Sequence, residues 1–135
     1  MKIVVASGYF DPFHVGHLEY LIEAKKLGDK LIVIVNSDVQ CKLKKGEPFM
    51  KEDDRTAIVS YLKMVDQTFI AVDEDETVCE FLRLIKPDIF AKGGDRHSGE
   101  IPEAKICKEL GIQIVDGLGN KIRSSSNLIK GINNE

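Results

Sequence analysis

Two histidines, His14 and His17, stand three residues apart in the stretch Gly8-Tyr9-Phe10-Asp11-Pro12-Phe13-His14-Val15-Gly16-His17. At that spacing on a helix start, both imidazoles can face one ligand. Gly8 and Gly16 let a backbone come close to that ligand. The open N–H groups of the helix that follows favour an anion. Two imidazoles over a phosphate-binding backbone point to catalysis on a phosphate. The bland alternative is a pair of capping or surface histidines. A zinc site made of His14, His17 and a cysteine is a third reading, which no ligand spacing supports.

The flanking segments say what must hold this turn. Ile3-Val4-Val5-Ala6 is an apolar run that reads as a buried strand, and Leu18 to Ala24 reads as a helix. That helix is expected to end near Leu27, with Gly28 as its cap. Leu31 to Val35 is the second strand, followed by Asn36-Ser37-Asp38. The polar, lysine-rich stretch from Cys41 to Lys51, with Gly46 and Pro48, reads as a mobile loop. A helix from near Asp53 carries Ile58, Leu62 and Val65 inward. Thr68 to Val72 is the third strand, and Asp73-Glu74-Asp75-Glu76 reads as a solvated helix start. The helix from Thr77 to Ile85 stops before Pro87. Asp88 to Ala91 is the fourth strand and runs into Lys92-Gly93-Gly94-Asp95. A helix after Pro102 ends near Leu110-Gly111, and Ile112 to Val115 is the fifth strand. Ser124-Ser125-Ser126 opens a last short helix with Leu128, Ile129 and Ile132 as its apolar positions. Strands and helices alternating in this way predict an α/β fold, a parallel sheet with helices on both faces.

At 135 residues the chain reads as a single domain, residues 1–135, with enough length for a real core. Its net charge of -3 and pI near 5.7 argue against a general nucleic-acid or membrane-surface binder. No apolar run approaches the ~20 residues of a membrane span. Met1-Lys2 leads straight into a strand with no signal peptide pattern, and Cys41, Cys79 and Cys107 show no C-x-x-C. Reduced thiols in a cytoplasmic protein are the simple reading.

The block ending in His17 resembles the H-x-G-H signature of the nucleotidyltransferase superfamily of small α/β domains. Within that superfamily the chain resembles glycerol-3-phosphate cytidylyltransferase and the adenylyltransferase domain of ADP-heptose synthase, from Lys2 to about Ile132. One departure is Tyr9, where many members carry Thr or Ser. The resemblance implies a Rossmann-like, doubly wound five-stranded sheet of order 3-2-1-4-5. Ligands of such sheets bind at the switch point, outside the carboxyl ends of the strands. The H-x-G-H turn and the Gly93-Gly94-Asp95 turn would then face each other across one crevice.

What the resemblance implies for single residues goes further. His14 and His17 would stabilise charge on the oxygens around the α-phosphorus, as fixed donors do. Lys44 matches a lysine that closes over the triphosphate, and Lys45 stands in for a second that would fall at Gly46. Gly8, Tyr9, Phe10 and Gly16 would border the nucleotide, as would Gly94 and Asp95. Ser124, Ser125 and Ser126 match the Ser/Thr run over the β- and γ-phosphates, though serine is also a plain helix cap. Asp11, Asp38 and Arg55 would serve the acceptor side, with Arg55 holding either phosphate or the lysine-bearing loop; otherwise Arg55 makes a surface ion pair with Glu52 or Asp54. His97 and Arg96 read as solvated loop residues, with a place in the acceptor pocket as the alternative. The Lys-Gly-Gly-Asp turn is the form of ADP-heptose synthase, whereas Gly119-Asn120-Lys121-Ile122-Arg123 lacks the cytidylyltransferase pattern.

The implied reaction moves a nucleoside monophosphate from a nucleoside triphosphate to a small phosphorylated acceptor, such as a sugar or polyol phosphate, and releases pyrophosphate. Transfer of AMP is slightly favoured over CMP. Magnesium accompanies the triphosphate, no metal site of the protein's own is expected, and the family implies a homodimer. The alternative from another class is a non-catalytic nucleotide sensor on the same fold.

Overall fold

In the computed structural model, which describes residues 1–44, 46–93 and 101–118, five parallel strands lie in the order β3-β2-β1-β4-β5. They are β1 (Ile3–Gly8), β2 (Lys30–Val35), β3 (Gln67–Ile70), β4 (Ile89–Gly93) and β5 (Gln113–Leu118). Between them run α1 (Val15–Lys25), α2 (Asp38–Lys44), α3 (Glu52–Ser60), α4 (Cys79–Ile85) and α5 (Ala104–Leu110). This is the order and the α/β, Rossmann-like class that the resemblance implied.

The apolar strand runs are continuous because both sheet faces are covered, and period two divides them. Val4, Ala6, Leu31, Val33, Val35, Ile89 and Ala91 join one core with Leu21 and Ala24 of α1 and Val59 of α3. Val5, Ile32, Ile34 and Phe90 join the other with Leu82 of α4 and Ile106 and Cys107 of α5. Among the described residues no helix is long and apolar enough to cross a membrane.

Four local expectations need correction. The lysine-rich stretch is not loop from Cys41 onward, because α2 runs on to Lys44 with Gln40 and Cys41 buried. Its start is a reciprocal cap: Gln40 N–H donates to Ser37 Oγ, and Ser37 N–H donates to Gln40 Oε1. That is the S-x-x-Q capping box, a signal present in Ser37-Asp38-Val39-Gln40. The inner face of α3 is Arg55 and Val59, whereas Ile58 is exposed. Leu62 and Val65 follow the helix and pack on the core from there. The acidic run Asp73 to Glu76 precedes α4 instead of opening it, and Asp73 Oδ2 accepts from Glu80 N–H. Finally, α1 ends on Lys26 in right-handed conformation, so Gly28 is no left-handed cap. Gly28 is needed for close approach: a Cβ there would lie 2.7 Å from Lys2 O and 2.8 Å from Val4 Cγ2.

Candidate active site

A cleft of about 600 Å³ opens at the carboxyl ends of β1 and β4, where the strand order reverses. Ser7, Gly8 and Tyr9 lead into it from β1, and Lys92 and Gly93 from β4. His14, Gly16 and His17 enter from the start of α1, and Lys44 from the end of α2. The expected facing of the H-x-G-H turn and the end of β4 is therefore present as far as Gly93.

The two histidines form the cap of α1 themselves. His14, extended at φ -142, is the N-cap, and its Nδ1 accepts from Gly16 N–H at 3.0 Å. His17 Nδ1 accepts in return from His14 N–H at 3.2 Å. The rings stack with centroids 3.8 Å apart. A neutral imidazole that accepts at Nδ1 carries its proton at Nε2. The capping bonds thus select the tautomer that leaves an Nε2–H donor on each ring lining the cleft. Capping and donating are compatible: the expected capping role is present, and it leaves Nε2 of each ring free of the cap. Burial, and then the electrostatic influence of neighbouring His14, lower the His17 pKa to about 4. His17 is therefore a neutral hydrogen-bond donor at physiological pH.

Aromatic packing fixes the His17 ring. Phe10 meets it edge-on at 5.1 Å, and Phe13 lies at 5.5 Å. Phe10 has φ 52 and is 1% exposed, so its ring folds back under the turn into the core. Gly8 must then lack a side chain, because a Cβ would lie 2.8 Å from Phe10 Cζ. Phe10, expected to border the nucleotide, braces the histidine from beneath and does not line the cleft among the described residues.

The floor of the cleft depends on Tyr20, one turn beyond His17 on α1. The strands β1 and β4 pair through Ala6 and Ala91 and then diverge. At that point the Tyr20 hydroxyl accepts from Ser7 N–H and donates to Ala91 O. It replaces the ladder bonds that the splayed strands can no longer make. Its full burial pushes the phenol pKa well above its usual value. Tyr20→Phe leaves a buried N–H and a buried carbonyl without this partner. We expect it to cost ~1–3 kcal/mol in a denaturation midpoint. An unchanged midpoint would show that the hydroxyl is dispensable.

Lys44 reaches the cleft over the Tyr9 ring, its Nζ 4.6 Å from the centroid. The Tyr9 departure thus has a physical role: an aromatic face seats the cation. Behind this wall lies Arg55, with no exposed surface at all. Its Nε donates to Met50 O, its Nη1 to Tyr9 O and Asn36 O, and its Nη2 to Asp38 Oδ1 at 2.7 Å. Neither the surface pair with Glu52 or Asp54 nor an open acceptor-binding guanidinium is present. Glu52 instead accepts from Asp38 N–H. Asp11 accepts from the N–H groups of Phe49 and Met50. So Asp11, Asp38 and Arg55, expected on the acceptor side, tie the α2–α3 connection to the H-x-G-H turn, and none of them lines the cleft among the described residues; of the roles expected of Arg55, the hold on the loop is the one present.

Lys45, Gly94, Asp95, Arg96, His97 and Ser124, Ser125 and Ser126 lie outside the described residues. Lys92, expected only as part of the Lys-Gly-Gly-Asp turn, lines the cleft, as do Asn36, Glu76 and Glu103, to which the sequence assigns no role. Asn36 and Lys92 sit directly after or at the end of strands, a signal that was available. Glu76 and Glu103 gave none. No cysteine is among the described lining residues. Among the described residues no three His, Cys, Asp or Glu side chains converge to hold a metal ion.

A doubly wound sheet with imidazole donors over a helix start at its switch point defines a phosphate-handling α/β domain. The chain belongs to the cytidylyltransferase-like family, which it matches over residues 5–130. It is 41% identical over 134 residues to the bifunctional protein HldE of Aliarcobacter butzleri, covering 97% of this chain and 27% of that protein. It is 42% identical over 110 residues to the bifunctional protein HldE of a Helicobacter pylori strain, covering 80% of this chain and 23% of that one. The chain thus spans about a quarter of the length of these curated relatives. Among solved structures, the lipopolysaccharide core biosynthesis protein of Thermoplasma volcanium is 34% identical with a TM-score of 0.74, covering 86% of this chain and 95% of that one. A protein of unknown function from Archaeoglobus fulgidus shares the fold at 19% identity and a TM-score of 0.68, with 93% and 94% covered.

Proposed function

We propose that this domain is a nucleotidyltransferase that moves AMP from ATP to a sugar phosphate and releases pyrophosphate. The observation that carries the reading is the pair of capped, stacked imidazoles, each with an Nε2–H donor, in one cleft with Lys44. A phosphate oxygen of the acceptor attacks the α-phosphorus of ATP in line. A new P–O bond forms, the bond to the β-phosphate oxygen breaks, and pyrophosphate leaves with the electron pair. Negative charge grows on the non-bridging and leaving oxygens. Donors already held in place there stabilise the transition state without reorganising. No covalent intermediate on the protein is required, and positioning supplies the rest.

Magnesium is the usual companion of a triphosphate. In this reading it arrives bound to the triphosphate.

The choice of ATP draws on the Lys92-Gly93-Gly94-Asp95 turn and on the relatives named HldE. The sugar phosphate draws on those relatives and on the lipopolysaccharide relative from Thermoplasma. The test is pyrophosphate release with each nucleoside triphosphate against sugar phosphates, polyol phosphates, FMN and phosphopantetheine. We expect ATP with a sugar phosphate to win clearly, since a wrong base leaves buried polar groups unpaired. Release dependent on CTP would overturn the choice of ATP and leave nucleotidyl transfer standing. Tight nucleotide binding with no release for any pair would favour a sensor.

A further inference from the structure

Among the described residues Glu103 is the only buried carboxylate, at 4% exposure. It occupies the N-cap position of α5 but does not cap that helix. Its Oε2 instead accepts from Val78 N–H at 3.1 Å, at the N-cap of α4. Glu103 lines the cleft, as do Tyr20, Lys92 and Pro102. A carboxylate is an acceptor only, with room for about four hydrogen bonds on its two oxygens. Here the described protein donors supply one. Its other oxygen is not among the buried side-chain atoms left without a partner, so it is open to the cleft, where a ligand can donate to it in place of water.

The rest of the cleft says what that donor is. His14, His17 and Lys44 offer donors and positive charge to phosphate. A ligand that satisfies both this group and Glu103 carries phosphate at one place and hydrogen-bond donors at another. Adjacent sugar hydroxyls fit, because two O–H groups can be shared over one carboxylate. Resting on the nucleotidyl-transfer reading, we propose that Glu103 is a specificity residue that accepts hydrogen bonds from sugar hydroxyls of the bound substrate. Those hydroxyls belong either to the ribose of the nucleotide or to the sugar of the acceptor.

Deoxy analogues separate the two sources, and they are measured on the full chain. Calorimetry compares ATP with 2′-deoxy-ATP and 3′-deoxy-ATP in the wild type and in Glu103→Gln. The glutamine oxygen still accepts from Val78 N–H, so the tie to α4 persists while the acceptor facing the ligand becomes an amide. If ribose is the source, Glu103→Gln weakens ATP binding by ~10-fold or more, as loss of a charge-assisted hydrogen bond should. The wild type then loses a similar factor with the deoxy nucleotide that lacks the contacted hydroxyl, and the variant loses nothing further. If the acceptor is the source, ATP binding holds and the same pattern appears in KM for a sugar phosphate and its deoxy forms. Wild-type binding that is equal for parent and every deoxy ligand overturns the proposal, and this arm needs no variant to fold. So does a Glu103→Gln loss that is the same for parent and deoxy ligands, which would assign Glu103 to holding α4. Because nucleotide binding is read without turnover, a wild type that binds ATP but releases no pyrophosphate refutes nucleotidyl transfer separately.

Discussion

Replacing His17 with alanine is expected to lower turnover by ~10²-fold or more, the usual cost of removing one transition-state donor. The residue also closes the reciprocal cap of α1 and packs on Phe10 and Phe13. Two further variants separate these roles. His17→Asn places an acceptor near the position of Nδ1, suited to the His14 N–H, but has no group at Nε2. His17→Gln places an N–H near Nε2. Asparagine should stay folded and be as slow as alanine, and glutamine should recover part of the rate. A folded His17→Ala that releases pyrophosphate at the wild-type rate would remove His17 from the chemistry. The depressed pKa gives a second readout. The unfolded chain takes up a proton at His17 as pH falls below 6.5, whereas the folded protein resists protonation until about 4. This residue therefore makes no difference to stability above that window and destabilises the fold progressively as pH falls through it. His17→Gln does not titrate. Its urea midpoint should fall less than that of the wild type between about pH 7 and about pH 5.

Removing Arg55 should have the largest effect on stability. Its guanidinium is fully buried, paired with Asp38 and bonded to the carbonyls of Met50, Tyr9 and Asn36. Truncation strands a partly covered carboxylate and three backbone acceptors together. Breaking such a pair costs ~3–5 kcal/mol, which for a domain of this size lowers the melting temperature by roughly 10 °C or more. Arg55→Lys should rescue little, because a single ammonium cannot span four acceptors that a planar fork reaches at once. The clasp also joins Tyr9 and the start of α2 to the connection beyond Lys44. We therefore expect any folded Arg55 variant to bind nucleotide more weakly, through misplacement of Lys44. A variant that melts like the wild type would show that the buried network carries little of the stability.

The sheet and the histidine pair were legible in the sequence for one reason: both rest on local patterns. Apolar runs of strand length, broken by helix-length segments, settle a parallel sheet covered on both faces, and Val4-Val5-Ala6 already contains the alternation that feeds two cores. The H-x-G-H spacing puts two imidazoles on one helix start whatever else the chain does. The strand order came from resemblance, because period-two patterning is blind to which strands are neighbours. Only the tertiary structure decided the rest. Arg55 reads equally as a surface ion pair or as a hold on phosphate or the loop, and it becomes an interior clasp because carbonyls from Tyr9, Asn36 and Met50 converge on one point. Gln40 turns inward because the backbone at Asp75 and Thr77 supplies acceptors for its amide. Glu103 faces the cleft because α4 and α5 pack side by side and bring Val78 N–H within reach of it. Polar burial depends on partners distant in the chain, and no local pattern of apolar residues encodes where those partners meet.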